Sequence, residues 1–415
     1  MRLCIHRGSH QIGGSCVELE SYGKRLVIDL GLPLDAATNE IHYLPEISGL
    51  TGSDASLLGI LVSHPHLDHF GLLSNVSPDV PVGMGPAARR IVNAAAPFFC
   101  GNWPEVRKGW KYESQKSFSA GTFKITPYLV DHSAYDAYAF LIESENKKVL
   151  YSGDIRSHGR KATLFKQMVS RPPKKVNVLL LEGTTIGEPN QKRNFSSESE
   201  IEEQLFNEFI AAKGLALVHT SSQNIDRIVS IYRASKRSGR KLVMDLYTAA
   251  ILEATGNRNI PQTNWDGVAL FIPQAQRIQI KKNAWFDLLK RHSNNRIFIE
   301  RISNYPKKFI LLFRPLHQAD LEKGKCLKGS IYIFSMWEGY WKREDYQKTE
   351  RWLLRNGIPK LSIHTSGHAE VEKLIAFVNA INPEKVVPIH TFFPQEYPKI
   401  FPNSEIHNDN EWWEV

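Results

Sequence analysis

Residues 61–71 read LVSHPHLDHFG, with three histidines and one aspartate packed into positions 64–69 directly after an apolar run. The run GILVS has strand character and ends at Ser63. Donors at i and i+2 past a strand end converge on one point, which pairs His64 with His66. Asp68 and His69, at the start of the next helix, turn toward a second point. Imidazole nitrogens mixed with carboxylates suit zinc, with manganese or iron as alternatives. The spacing is a pattern for two adjacent metals.

One motif does not complete two coordination shells, so further donors are expected just past other strand ends. Three polar residues cap apolar runs: His132 after ITPYLVD, Asp154 after KVLYSG, and His390 after KVVPI. Each alone is compatible with a buried, hydrogen-bonded core residue. Their joint occurrence after the dense motif favours ligands.

The chain has 415 residues, enough for two or three domains, and its 42% hydrophobic and 23% charged content is that of a soluble globular protein. No apolar run approaches the ~18–20 residues that span a bilayer. The N-terminus, MRLCIHRGSHQIGG, lacks the apolar centre of a signal peptide. Cys4, Cys16, Cys100 and Cys326 are too scattered for a disulfide framework or a zinc knuckle. A reduced, cytoplasmic protein with no membrane contact is expected.

Residues 1–185 read as short strands joined by turns, several of them apolar on both faces, with a helix at GPAARRIVNAAAPFF. From Ile186 the texture changes. SSESEIEEQLFNEFIAAKG opens with serine caps and continues with helical periodicity, and strands and helices then alternate to EDYQKTERWLLRNG. From Ile358 the strand-and-loop texture returns. The expected architecture is nested and α/β. A metal-binding domain is built from residues 1–185 and 358–415, and a parallel-sheet α/β domain, 186–357, is inserted between them. That insert carries 28 lysines and arginines against 18 aspartates and glutamates, a net of +10; the rest of the chain nets −1 within the overall +9. A basic block of this kind is either a solvated face or a surface for a polyanion.

With these residues in place, the chain resembles the metallo-β-lactamase superfamily. SHPHLDHFG matches its His-x-His-x-Asp-His signature, and His132, Asp154 and His390 match its later ligand motifs in order. The resemblance implies an αββα sandwich holding two divalent metal ions, zinc first and manganese second. By position, His64, His66 and His132 would hold one metal; Asp68, His69 and His390 would hold the other, with Asp154 bridging. Asp29, in VIDLG, matches an acidic motif that would orient the ligands and the bridging water.

Glu182 in LLLEGTT and His368 in HTSGHAEV resemble extra motifs of the β-CASP branch, the nucleases that include the ribonuclease J and mRNA 3′-end-processing families. The inserted domain would then be β-CASP-like. The implied function is a two-metal phosphodiesterase that hydrolyses RNA by attack of a metal-bridging hydroxide. Asp68 or Asp154 would orient the hydroxide, and His368 paired with Glu182 would serve as acid or charge stabiliser. HTSSQNIDR lies at a strand-to-helix junction of the insert, where Ser221, Ser222, Gln223 and Asn224 would contact the phosphate backbone. His364 and Ser366 resemble part of a terminal-phosphate pocket. Trp337, Tyr340 and Trp341 fit core packing better than base stacking.

His390 stands in PIHTFF without the Gly-acid pair frequent after this histidine in family nucleases. The sequence runs only 25 residues past His390, so a further C-terminal domain like that of ribonuclease J is not expected, and monomer and homodimer both stay open. RNA is favoured over DNA by the resemblance alone. A DNA nuclease of the same fold, a small-molecule metallo-hydrolase and a non-catalytic RNA-binding subunit are the alternatives, and exonuclease or endonuclease action is undecided.

Overall fold

The computed structural model describes residues 1–36, 38–99, 103–106, 109–187 and 194–415. These divide into two compact units, Met1–Phe195 with Gly367–Val415, and Ser196–Ser366.

The first unit contains two six-stranded sheets. One runs in the order Trp412–Glu414, Arg2–Arg7, Cys16–Ser21, Lys24–Ile28, Leu57–Leu61, Val82–Gly83. The other runs Lys385–Ile389, Val178–Glu182, Lys147–Tyr151, Tyr138–Ser144, Phe123–Leu129, Phe118–Ala120. Leu3, Val17, Ile28 and Leu61 from the first sheet share one buried cluster with Phe123, Phe140, Tyr151 and Leu180 from the second, so the sheets pack face to face. Alternate residues point outward. Val27, Ile60 and Val62 pack on Ala88 and Val92 of helix Pro86–Ala95. Leu141, Leu150 and Leu179 pack on Phe165 of helix Ala162–Ser170 and on Phe377 of helix Val371–Ile381. Both faces of each sheet are covered, which explains the doubly apolar strands and gives the αββα sandwich. The C-terminal stretch completes it. Lys385–Ile389 runs parallel to Val178–Glu182, and Trp412–Glu414 runs antiparallel to Arg2–Arg7.

The second unit is a seven-stranded, wholly parallel sheet. Its order is Arg296–Ile297, Val268–Phe271, Lys241–Met244, Phe309–Leu312, Ala216–His219, Ile331–Phe334, Lys360–Ser362. Helix Glu198–Ala211 starts at Ser197 with a capping box closed by Glu200. Among the described residues no helix is long and apolar enough to cross a membrane.

The unit boundaries differ from those that composition suggests. The chain stays with the sandwich to Phe195, where the Phe195 amide donates to Glu370 and the Thr185 hydroxyl to the Ala369 carbonyl. At the other end Lys360–Ser362 pairs with Ile331–Phe334, so PKLS belongs to the inserted sheet and not to the sandwich. Sheet pairing, unlike charge texture, is not written in local composition.

The inserted unit is stapled by a buried ion pair. Arg227, on helix Ile225–Arg237, is fully buried and meets Glu198 with Nε at 3.2 Å and Nη2 at 2.9 Å. Arg227→Ala would leave the Glu198 carboxylate buried without its cation, a loss of about 3–5 kcal/mol. Chemical denaturation should show it as a lowered midpoint; a loss under about 1 kcal/mol would contradict the pairing.

Candidate metal centre

Six residues of the site sit at or just past strand C-termini. Asp29 follows Lys24–Ile28, His64 follows Leu57–Leu61, His132 follows Phe123–Leu129, Asp154 follows Lys147–Tyr151, Glu182 ends Val178–Glu182, and His390 follows Lys385–Ile389. His66 is the N-cap of the short helix Leu67–Phe70, which carries Asp68 and His69. The loop after Asp29 is clamped to this helix: Leu30 N donates to His69 O, and Leu32 N to Leu67 O. Gly31 lies so close that a Cβ there would stand 1.7 Å from Asp68 O. Gly153 adopts φ +54° before Asp154, and a Cβ there would meet Tyr138 O at 2.7 Å. Both positions require glycine.

Among the described residues, five groups of donor atoms, each within 4.8 Å of one another, lie here: His64–His66–His132, Asp68–His69–His390, His64–His69–Asp154, His132–Asp154–His368, and Glu182–His368–His390. Asp154 is therefore next to both the His64–His66–His132 and the Asp68–His69–His390 sets. Its Oδ2 lies 3.6 Å from His64 Nε2, 3.3 Å from His69 Nε2 and 4.0 Å from His132 Nε2.

The hydrogen bonds around the imidazoles fix which nitrogens face inward. The Ser63 hydroxyl donates to Asp29 Oδ2 at 2.8 Å, so its oxygen accepts from His64 Nδ1 at 3.0 Å and His64 Nε2 is unprotonated. His132 Nδ1 donates to Gly367 O at 2.6 Å, which leaves His132 Nε2 unprotonated as well. His66 Nδ1 stands 3.2 Å from each of them and can give a proton to one at most. Lone pairs crowded in this way repel unless a cation sits among them. Tetrahedral bonds of ~2.0–2.1 Å would separate such nitrogens by ~3.3 Å. The donor set fits a divalent cation.

The second set is held with equal care. Asp29, fully buried, accepts from Ser63 N at 2.6 Å, from the Tyr151 hydroxyl at 2.7 Å and from His69 Nδ1 at 2.7 Å. His69 Nε2 then faces Asp68 and Asp154, and it is buried without a hydrogen-bond partner among the described residues. Thr184 Oγ1 holds His390 Nδ1 at 2.8 Å, and His390 Nε2 lies 3.3 Å from Asp68 Oδ2. This set, richer in negative charge, fits a cation too.

Electrostatics sort the groups. Burial, reinforced by His69 and His132, pushes His64 well below the usual imidazole range; burial also pushes His66 down to about 4, and burial with His66 lowers His132. Burial opposes charge on His69, but Asp154, Asp29 and Asp68 outweigh it and hold that ring well above its ordinary value. Asp68 and Asp154 stay well below the usual carboxylate range despite burial, held there chiefly by His69 and His390.

His368 Nδ1 lies 3.2 Å from Glu182 Oε1, and Glu182 also accepts from the amides of Ile155 and Thr184. Burial disfavours the charged ring, yet Glu182, followed by Asp154 and Asp68, raises His368 to about 9. Ser63, Tyr151, Thr184 and the Gly367 carbonyl, which orient the donors, were not picked out from the sequence. All four lie inside the stretches LVSHPHLDHFG, KVLYSG, LLLEGTT and HTSGHAEV, and that proximity to donors was the available signal.

The expected nucleic-acid contacts have a different character. Ser222 is buried with its hydroxyl 2.8 Å from Thr248 Oγ1, Gln223 Nε2 donates to the Tyr247 hydroxyl, and the Asn224 side chain caps its helix by accepting from Arg227 N. Ser221 alone of the four is exposed. His364 and Ser366 are half-buried in the stretch after Lys360–Ser362. Tyr340 and Trp341 pack on the core of the inserted unit, while Trp337 is 57% exposed.

Residues 11–168 match the family model of the metallo-beta-lactamase superfamily. That stretch carries a metallo-β-lactamase-superfamily domain. Residues 361–394 match a second model, the Zn-dependent metallo-hydrolase RNA specificity domain. Every donor named above except Glu182 falls within one of the two matches. Among similar curated proteins, Ribonuclease J of Mycoplasma pneumoniae is 23% identical over 92% of this chain, and Ribonuclease J of Mycobacterium tuberculosis 26% identical over 58%. The chain spans 66% and 44% of those relatives' own lengths. A crystal structure of a protein of unknown function from Enterococcus faecalis superimposes with TM-score 0.81 at 20% identity, covering 99% of both chains. That likeness concerns the fold.

Asp29→Asn tests the support of the second set. An amide cannot accept from all of Ser63, Tyr151 and His69, and its NH2 would turn His69 to the tautomer that carries hydrogen on Nε2. Metal affinity should fall about 10–100-fold, read by competition with a chromogenic chelator. Unchanged affinity would show that Asp29 serves packing alone.

Proposed function

We propose that this chain is a metal-dependent phosphodiesterase that hydrolyses single-stranded RNA. The observation that carries the reading is the pair of donor sets meeting at Asp154, with the Glu182–His368 pair beside them. The RNA specificity domain match, which contains His368 and His390, and the relatives named Ribonuclease J support the substrate class.

His64, His66 and His132 would hold one cation, and Asp68, His69 and His390 the other, with Asp154 shared. Divalent cations bound there supply Lewis acidity toward a phosphoryl oxygen and bring a water's ionisation near neutral pH. The protein's own part is positioning and proton management. Asp154, held unprotonated by the imidazoles around it, accepts a hydrogen bond from the attacking water and orients it. The water loses one proton to solvent, and its oxygen bonds to phosphorus as the bond to the leaving oxygen breaks. The leaving oxygen takes a proton from His368, whose Nδ1 is engaged by Glu182, so that the proton comes from Nε2. Glu182 keeps the ring charged until the transfer and holds its orientation.

The test is digestion of end-labelled RNAs and DNAs bearing 5′-phosphate, 5′-triphosphate or 5′-hydroxyl ends, with zinc or manganese and with chelator. RNA cleavage that chelator abolishes supports the reading, and the product ladder assigns polarity. Metal-loaded protein that cuts DNA alone, or neither polymer, would refute it.

A further inference from the structure

The positive excess of the inserted unit is concentrated in one place. Residues 274–309 contain nine lysines and arginines against Asp287 and Glu300, a net of +7 out of the +10. This segment joins strand Val268–Phe271 to strand Phe309–Leu312 through helices Gln274–Lys282, Phe286–His292 and Ile299–Asn304. To the sheet it adds only the two-residue edge strand Arg296–Ile297. Elsewhere in the unit several cations are matched and the net charge is small: Arg233 and Arg237 face Glu202 and Glu203, and Arg314 faces Asp245. Within 274–309, Arg277 meets Asp320 at 3.1 Å and Arg291 meets Glu253 at 3.5 Å; the other seven cations have no carboxylate within ion-pair distance among the described residues. A run of unmatched cations on one rim attracts a polyanion.

Aromatic rings are interleaved with these charges. The Arg296 guanidinium stands 5.0 Å from the Phe298 ring centroid, and Arg301 and Lys308 stand 4.7 and 5.0 Å from that of Tyr305. Phe298 and Tyr305 nevertheless remain 55% and 43% exposed. Arg296, Ile297, Phe298, Glu300, Arg301 and Asn304 line a groove of about 470 Å³. Arg296 Nε is shut off from solvent and has no acceptor among the described residues, an arrangement that a bound acceptor would relieve.

We propose that this rim anchors single-stranded nucleic acid, with bases stacking on Phe298 and Tyr305 and phosphates meeting Arg296, Arg301, Lys307 and Lys308. The proposal rests on the nuclease reading and adds to it a site of strand capture. Charge alone would admit any polyanion. The exposed rings select unpaired bases, because a duplex hides its π faces and an acidic protein has none to offer in series. Glu300, the one carboxylate in the groove, is an acceptor suited to a base amine or a ribose hydroxyl.

The test is fluorescence anisotropy with a labelled 20-nucleotide RNA, on full-length metal-supplemented protein carrying Asp154→Ala so that the strand stays uncut. Adding Phe298→Ala and Tyr305→Ala should weaken binding about 100-fold, roughly tenfold per ring. Adding Lys307→Gln and Lys308→Gln should lower the slope of log K against log salt by about 1.4. Hydrolysis of bis(p-nitrophenyl) phosphate by the rim variants with Asp154 intact should be unchanged, showing that the fold and the metal centre survive. The proposal is overturned if RNA binds the native rim and the variants with equal affinity and slope. It is also overturned if the variants change sedimentation in place of RNA affinity, which would mark a protein interface. If the native-rim protein binds no RNA and the wild-type protein cuts none, the nuclease reading itself falls, a result distinct from the first two.

Discussion

Asp154→Ala is expected to lower RNA cleavage by well over about 10²-fold while far-UV circular dichroism stays native. Asp154 has carboxylate oxygens within 4.0 Å of nitrogens on His64, His69, His132, His368 and His390. It is 2% exposed. Groups that merely support a ligand cost about 10–100-fold in metal affinity or activity when lost, and a carboxylate shared by two donor sets must cost more. Its removal leaves the imidazoles facing one another with a weaker counter-charge, so metal content should fall with turnover. The strands on either side keep their ladders, and the fold should survive. Elemental analysis and a gel assay on one preparation check both halves. Cleavage within tenfold of wild type would remove Asp154 from the chemistry.

His368→Ala separates acid catalysis from metal binding. Loss of a positioned proton donor should cost about 10²–10⁴ in turnover, with metal content near wild type. The opposite outcome has a structural basis, because His368 also belongs to the Glu182–His368–His390 and His132–Asp154–His368 donor groups. Metal loss in this variant would make His368 a ligand and leave the leaving oxygen without its proposed donor. Glu182→Gln should move turnover the same way but less far, since the ring remains and only its charge support and orientation weaken.

The donor residues were legible in the sequence because a strand end is a local signal. His64, His132, Asp154 and His390 each follow an apolar run, and a sandwich of aligned strands brings such ends to one edge. What orients the donors was not legible. The Gly367 carbonyl accepts from His132 across 235 positions, and Tyr151 donates to Asp29 across 122. Neither residue type is unusual, and only the folded chain makes them neighbours. The charge of the insert shows the same limit. Counting gave +10, but Arg233 and Arg237 of helix Ile225–Arg237 are answered by Glu202 and Glu203 of helix Glu198–Ala211, and +7 of the net charge lies in 274–309. Likewise Ser222 and Asn224 read as phosphate contacts in sequence and as internal hydrogen-bond partners in the fold. Strand Lys360–Ser362 shows that a sheet can continue past the point where composition changes.

The central claim, that two donor sets sharing Asp154 make an RNA-hydrolysing centre, is tested most directly by titrating metal-free protein with zinc or manganese while following cleavage of single-stranded RNA. The account predicts no cleavage in chelator, a rise with added metal and a plateau at two equivalents per chain. Cleavage that persists in chelator, or protein saturated with metal that leaves the RNA intact, would contradict it.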